Sequence, residues 1–265
     1  MKARLSLMML LGAACLAATG CDYHFPGKPG PDPEVPRPEH VLDFATLYHE
    51  NCAACHGEHG ARGASISLAN PVYLAYAGEA NIRTAIANGV HGSLMPAFAQ
   101  SAGGMLTDEQ VNVLAHGMVT EWGKPDALGS ATAPAYHPAA VGNVADGQKV
   151  FTASCAMCHG DSGQGKRTAD GHGMGSIVDP SYLALVSDQY LRNMVVAGTP
   201  GHGMPDFAHH GAPGSTPHVM TDAEVTSVVA WLGSHRTGAT QVETTPPQPA
   251  HPEAPKHTET KQEPM

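Results

Sequence analysis

The six residues CAACHG at 52–57 return as CAMCHG at 155–160, and the stretches that follow each copy repeat as well. PVYLAYAGEANIRTAIANGVHGSLMPAFA (71–99) lies over PSYLALVSDQYLRNMVVAGTPGHGMPDFA (180–208) without a gap. Pro, Tyr, Leu, Ala, Arg, Gly, Met and Phe coincide along it. Further on, LTDEQV (106–111) answers MTDAEV (220–225). A self-similarity this orderly means two copies of one structural unit. They occupy residues 39–123 and 143–236, joined by a Pro- and Ala-rich linker at 124–142. Neither copy is large enough to bury much apolar surface by itself.

Within each copy the signals are helical. Val41, Phe44, Ala45, Tyr48, Cys52 and Cys55 recur at steps of three and four, as on one stripe of a helix. Asn70-Pro71 and Asp179-Pro180 have the form of an N-cap followed by proline at the first helical position. Gly89 and Gly198 are placed to close the helix that follows as left-handed C-caps. Thr107 with Gln110, and Thr221 with Glu224, fit the capping box that opens the last helix of each copy. No segment alternates as a convincing strand does. The expected fold is all-α, in two tandem domains. Aromatic residues are only 5% of the chain, so something other than aromatic side chains must fill two such small cores.

Paired cysteines at this spacing serve three chemistries. Zinc needs four ligands, and each copy has one pair only. A thiol–disulfide switch belongs beside alternating strands and helices, and gives no reason for histidine directly after the second cysteine. A covalently held haem uses every element. Thiols at i and i+3 of a helical turn face one way and can add to two porphyrin vinyl groups, and the adjacent histidine offers its imidazole to the iron. Cys52, Cys55 and His56 would serve the first haem, and Cys155, Cys158 and His159 the second. A sixth ligand is at hand downstream in Met95 of SLMPAFA and Met204 of HGMPDFA, each followed by a proline that stiffens its loop.

These motifs, CAACHG with LMPAF and CAMCHG with GMPDF, resemble class I c-type cytochrome domains, and their tandem order is similar to dihaem cytochromes of the cytochrome c4 type. The resemblance implies two covalently attached haem c groups, a helical fold around each, and an N-terminal helix crossing a C-terminal one. DGQKVFTASCAMCHG and Trp231 match that crossing in the second copy. The first copy departs from it: Phe44 stands where the second has Gly147, Gly117 where it has Trp231, and Trp122 comes five positions later. An altered crossing is therefore expected there. Arg83 and Arg192 coincide in the repeat and are candidate partners of haem propionates. Tyr73 and Tyr182 coincide too and read as packing residues. His59, His91, His202, His209 and His210 read as loop residues, and Met105, Met118 and Met220 as packing. His172 and Met174 are rivals to Met204 for the sixth position.

The ends of the chain carry other signals. Lys2, Arg4 and the apolar run LSLMMLLGAACLAA form an export signal over residues 1–20, too short for a spanning helix. LAATGC, ending at Cys21, resembles a bacterial lipobox, which implies a lipid anchor at Cys21 and attachment to the periplasmic side of a bacterial membrane. Residues 21–38 read as a Pro/Gly-rich tether and 237–265 as a disordered Pro-rich tail. A formal net charge of −10 argues against nucleic acid as a partner. The function these features imply is one-electron transport, as a shuttle between redox proteins or as the cytochrome subunit of a respiratory complex. The rival is a dihaem peroxidase or a similar cytochrome oxidising a small inorganic substrate, which needs one displaceable haem ligand.

Overall fold

The computed structural model of the chain describes residues 36–167, 173–210 and 217–236. The expected export signal, Cys21, most of the tether, His172 and the tail lie outside the described residues. The chain divides into two compact units, residues 1–42 and 43–265. In the first, the described part is a short 3-10 turn at Pro38–His40. Apart from residues 39–42, both repeats fall in the second unit.

The architecture of residues 43–236 is all-α. The first repeat comprises α1 (Phe44–Asn51), α2 (Ala53–His56), α3 (Pro71–Asn88) and α4 (Asp108–Trp122). The second comprises α5 (Val144–Ser154), α6 (Ala156–His159), α7 (Pro180–Leu185), α8 (Asp188–Ala197) and α9 (Asp222–Gly233). Among the described residues, strand is limited to a two-residue antiparallel ladder, β1 (Lys166–Arg167) with β2 (Gly173–Met174).

The helix starts follow the local chemistry of the sequence. Asn70 Oδ1 accepts from Val72 N and Tyr73 N, and Asp179 Oδ1 from Ser181 N and Tyr182 N. Both capping boxes form, Thr107 with Gln110 and Thr221 with Glu224. The stripe read over 41–55 is only partly a helix face. The helix starts at Phe44 and breaks at Cys52 (φ −121°); Leu47 and Tyr48 turn inward, whereas Ala45 is exposed. α3 is broken at Gly78 (φ 69°, ψ 156°), so it matches the separate α7 and α8 of the second repeat.

Gly89 and Gly198 end α3 and α8 with positive φ, but with ψ near 180° rather than in the left-handed helical well expected of C-caps. That region is open essentially to glycine alone. The cause is tertiary. A Cβ on Gly89 would stand 2.7 Å from Met95 O, and one on Gly198 would stand 2.6 Å from Met204 O. Each Met-Pro segment runs back against the end of the preceding helix and leaves no room there for a side chain.

In the second repeat α5 crosses α9 with Gly147 at the contact; a Cβ there would lie 1.9 Å from Ser227 O and 2.8 Å from Trp231 Cβ. Phe151 stacks on Trp231 with ring centroids 4.2 Å apart. In the first repeat the crossing is altered as the sequence implies. The small residue is Gly117 on α4, whose Cβ would meet the Phe44 ring at 2.2 Å. Trp122 packs edge-on against Phe44 (5.3 Å) and Tyr48 (4.9 Å).

The two repeats also touch one another. Residues 124–142 are irregular chain, and part of them is strapped down. Ala135 O accepts from Arg192 Nε and Nη2, and Ala135 N donates to Asp222 Oδ1. Tyr136 O accepts from Tyr76 Oη of the first repeat and from Gln189 Nε2 of the second. The Tyr76 and Tyr136 rings lie 5.3 Å apart. Among the described residues, no helix is long and apolar enough to cross a membrane.

Candidate functional site

The two cysteine turns share one geometry. Cys52 sits at φ −121°, ψ −35° and Cys155 at φ −122°, ψ −33°. In each, the carbonyl of the first cysteine accepts from the second cysteine's N–H (3.2 and 3.1 Å) and from the histidine's N–H (3.0 Å in both). The turn closes at Gly57 (φ 81°, ψ 161°) and Gly160 (φ 81°, ψ 157°). So the repeat in sequence is a repeat in backbone, dihedral by dihedral, where the chemistry would occur.

Cys52, Cys55, Cys155 and Cys158 form no disulfide. In each pair the second, Cys55 or Cys158, is exposed, whereas the first is turned inward; burial and the neighbouring thiol push Cys52 and Cys155 up to about 12. Unattached, these two thiols would be neutral at physiological pH, unlike the depressed thiolates of a redox switch. Among the described residues, no three His, Cys, Asp or Glu side chains gather as ligands of one ion.

His56 is buried, and its Nδ1 lies 2.8 Å from Ile66 O. A proton on Nδ1 satisfies that carbonyl and leaves the Nε2 lone pair for a metal, the arrangement in which an outer partner fixes ring orientation. Burial lowers the pKa of His56 and keeps the ring neutral, as ligation requires. Burial, and secondarily the charge of nearby His210, lower that of His159. His159 Nδ1 is a buried polar atom with no partner among the described residues. His159 thus lacks, among the described residues, the outer partner that Ile66 O gives His56. One imidazole, two thiols and a downstream methionine per repeat fit a covalently attached haem.

Met95 and Met204 are both half-buried and sit at matching places in their loops. Val90 N donates to Met95 O at 3.1 Å, and Thr199 N to Met204 O at 2.9 Å. The candidate propionate partners differ. Arg83 is exposed on α3. Arg192 is buried, and its guanidinium is occupied within the protein by Ala135 O, Thr226 Oγ1 and Asp222. Tyr73 is buried and Tyr182 half-buried. Met118 and Met220 are buried as packing residues, but Met105 is 83% exposed. Met174 lies on β2 and is exposed.

Three residues of consequence were not legible in the motifs. Ile66 acts through its carbonyl, which no side-chain pattern announces. His210 is in a connecting segment, as read, yet is buried. Asn70 was read as a cap alone, and its amide nitrogen reaches the other repeat.

The family model described as cytochrome c matches residues 144–236, and that described as cytochrome c oxidase, cbb3-type, subunit III matches residues 40–116. Among curated proteins, the chain is 31% identical over 160 residues to the cbb3-type cytochrome c oxidase subunit CcoP of Azospirillum sp., covering 54% of this chain and 49% of that one. It is 29% identical over 178 residues to subunit FixP of Rhizobium etli, covering 63% and 54%. It is 28% identical over 192 residues to a thiosulfate dehydrogenase of Stutzerimonas stutzeri, covering 70% and 59%. The chain spans about half the length of the first two of these relatives.

Proposed function

Because this chain is a dihaem c-type cytochrome with two covalently attached haem c groups, we propose that it carries single electrons, with His56 and Met95 on one iron and His159 and Met204 on the other. When bound, the haem supplies the Fe(II)/Fe(III) couple, and a methionine ligand favours the ferrous state and raises the potential. The residues around it hold the ligands still. Ile66 O fixes the His56 ring. The tight passage at Gly89 and Gly198 and the prolines after Met95 and Met204 restrain the loops that carry the sulfurs. The matched Met-Pro segments carry this reading most directly, because both irons would be six-coordinate and closed to small substrates. A redox titration of the purified holoprotein with spectra tests it. Two one-electron waves with a methionine-to-iron charge-transfer band from each haem are expected; a high-spin haem would contradict it.

The similarity to CcoP and FixP supports a respiratory complex as the partner, with the chain as either its electron donor or its subunit. Co-purification from detergent-solubilised membranes distinguishes these. We further propose export and lipid attachment at Cys21; Cys21→Ser should abolish labelling by radioactive fatty acid and release the protein from membranes. The similarity to a thiosulfate dehydrogenase favours one second reading, oxidation of a small inorganic sulfur compound at a haem that releases its methionine. Thiosulfate-dependent reduction of the haems at turnover rates would select it.

A further inference from the structure

Asn70 and Asp179 hold the same place in the two repeats, and each caps the helix that follows. Only Asn70 does more. It is buried, whereas Asp179 is exposed. While Oδ1 caps α3, Nδ2 donates to Ala197 O at 2.9 Å and to Gly198 O at 3.3 Å, in the other repeat. Those two carbonyls lie at the end of α8, where the loop of Met204 begins. The next residue, Thr199, donates its N–H to Met204 O, and the backbone is so close that Gly198 cannot carry a Cβ. On its own side, Asn70 lies four residues after Ile66, whose carbonyl holds the His56 ring. The surroundings are dry: Tyr73 and Tyr76 on α3 are buried, and Tyr136 packs over Tyr76. Both amide hydrogens and the amide oxygen are used, so the residue is fully satisfied and has one orientation. A carboxylate could cap but could not donate.

We propose that Asn70 is a positioning residue for Met204: the first repeat, through this one amide, steadies the loop that presents methionine sulfur to the iron of the second. The inference rests on Met204 being the sixth ligand. Its sign follows from the geometry. Loss of the two donated bonds frees the end of α8 and lets Met204 leave its iron more readily, with no change required at the first haem.

The test is displacement of methionine by added imidazole in the ferric holoprotein, followed by the high-field methyl resonances of the two ligating methionines. Met204→Leu identifies the resonance of the second haem. Asn70→Ser keeps a capping oxygen but cannot reach Ala197, and should raise imidazole affinity at the second haem roughly fivefold, the weight of one modest hydrogen bond. The first haem should stay as it was. Asn70→Asp, which retains a strong cap and sets a carboxylate against two carbonyls, should do more, and carries the test if the serine variant is poorly folded. Asp179→Ser, at a cap that makes no bond to the other repeat among the described residues, should move neither haem. Equal imidazole affinity in Asn70→Ser, Asn70→Asp and wild type, or equal increases at both haems, overturns the role of Asn70 and leaves the ligand assignment standing. Absence of a Met204 resonance in the wild-type protein overturns the ligand assignment, and this inference with it.

Discussion

The second repeat places a glycine on its first helix beneath a tryptophan on its last; the first repeat places an aromatic on the first helix over a glycine on the last. Gly147 faces Trp231, and Phe44 faces Gly117. Both solve one problem, bringing two helices close enough to wall off a small core. In both a tryptophan also covers the loop after the cysteine turn. A Cβ on Gly60 would stand 2.7 Å from Trp122, and one on Gly163 would stand 3.5 Å from Trp231. The tryptophans reach these matching places from different turns of their helices. What is held constant is the filling of space over the loop, and not the sequence position that fills it.

The harshest way to break this comparison is to remove one filler that both repeats share. Cys155→Ser with Cys158→Ser should leave a chain with one haem mass, and the second repeat without a cooperative unfolding transition, because a core this small lacks the apolar surface to stand alone. Calorimetry with intact-mass analysis reads both, and a cooperatively folded, haem-free second repeat would refute it. Next in size, Trp231→Ala should cost about 3–5 kcal/mol, as expected for a large buried aromatic, seen in denaturant unfolding of the holoprotein.

The two glycines sharpen the contrast. An alanine at Gly147 meets the backbone carbonyl of Ser227, which cannot yield without separating the helices. At Gly117 the three nearest atoms all belong to the Phe44 ring, a side chain that can turn. Gly147→Ala should cost about 3 kcal/mol and Gly117→Ala about 1 kcal/mol, within the range for overpacking. Equal costs would mean that the two crossings are equally rigid.

The smallest effect concerns the first helices. α1 is capped by Asp43, whose carboxyl is held below its ordinary value by the N–H and then the hydroxyl of Thr46. α5 is capped by Asn143, which does not titrate. A depressed carboxylate contributes its full stabilisation above the unfolded-state pKa and loses it as pH falls through the folded value. Acidification below about pH 4 should therefore loosen the first turn of α1 and spare α5, read as faster amide exchange at Thr46 and Leu47 but not at Asp146.

Much of this was legible in the residues, for physical reasons. Capping is local chemistry, so Asn70, Thr107, Asp179 and Thr221 declared their helices. The cysteine turns are local too, and repeat to within a few degrees. Partners distant in the chain were not legible. Gly89 and Gly198 read as caps because nothing nearby shows that Met95 and Met204 will run back against them. Arg192 reads as a candidate propionate partner, whereas its guanidinium is taken up within the protein, partly by Ala135 O in what composition marks as linker. Asn70 reads as a cap alone, yet its amide nitrogen also donates to two carbonyls of the far repeat.

The strap at Ala135 and Tyr136 has a kinetic corollary. Pinned at once by Arg192, Gln189 and Tyr76, it fixes the spacing of the two halves instead of leaving them to meet by chance. Under the proposed electron-carrying role, thickening the solvent with glycerol or sucrose should slow exchange with outside carriers, which would depend on collision, while leaving passage from one iron to the other at its original pace.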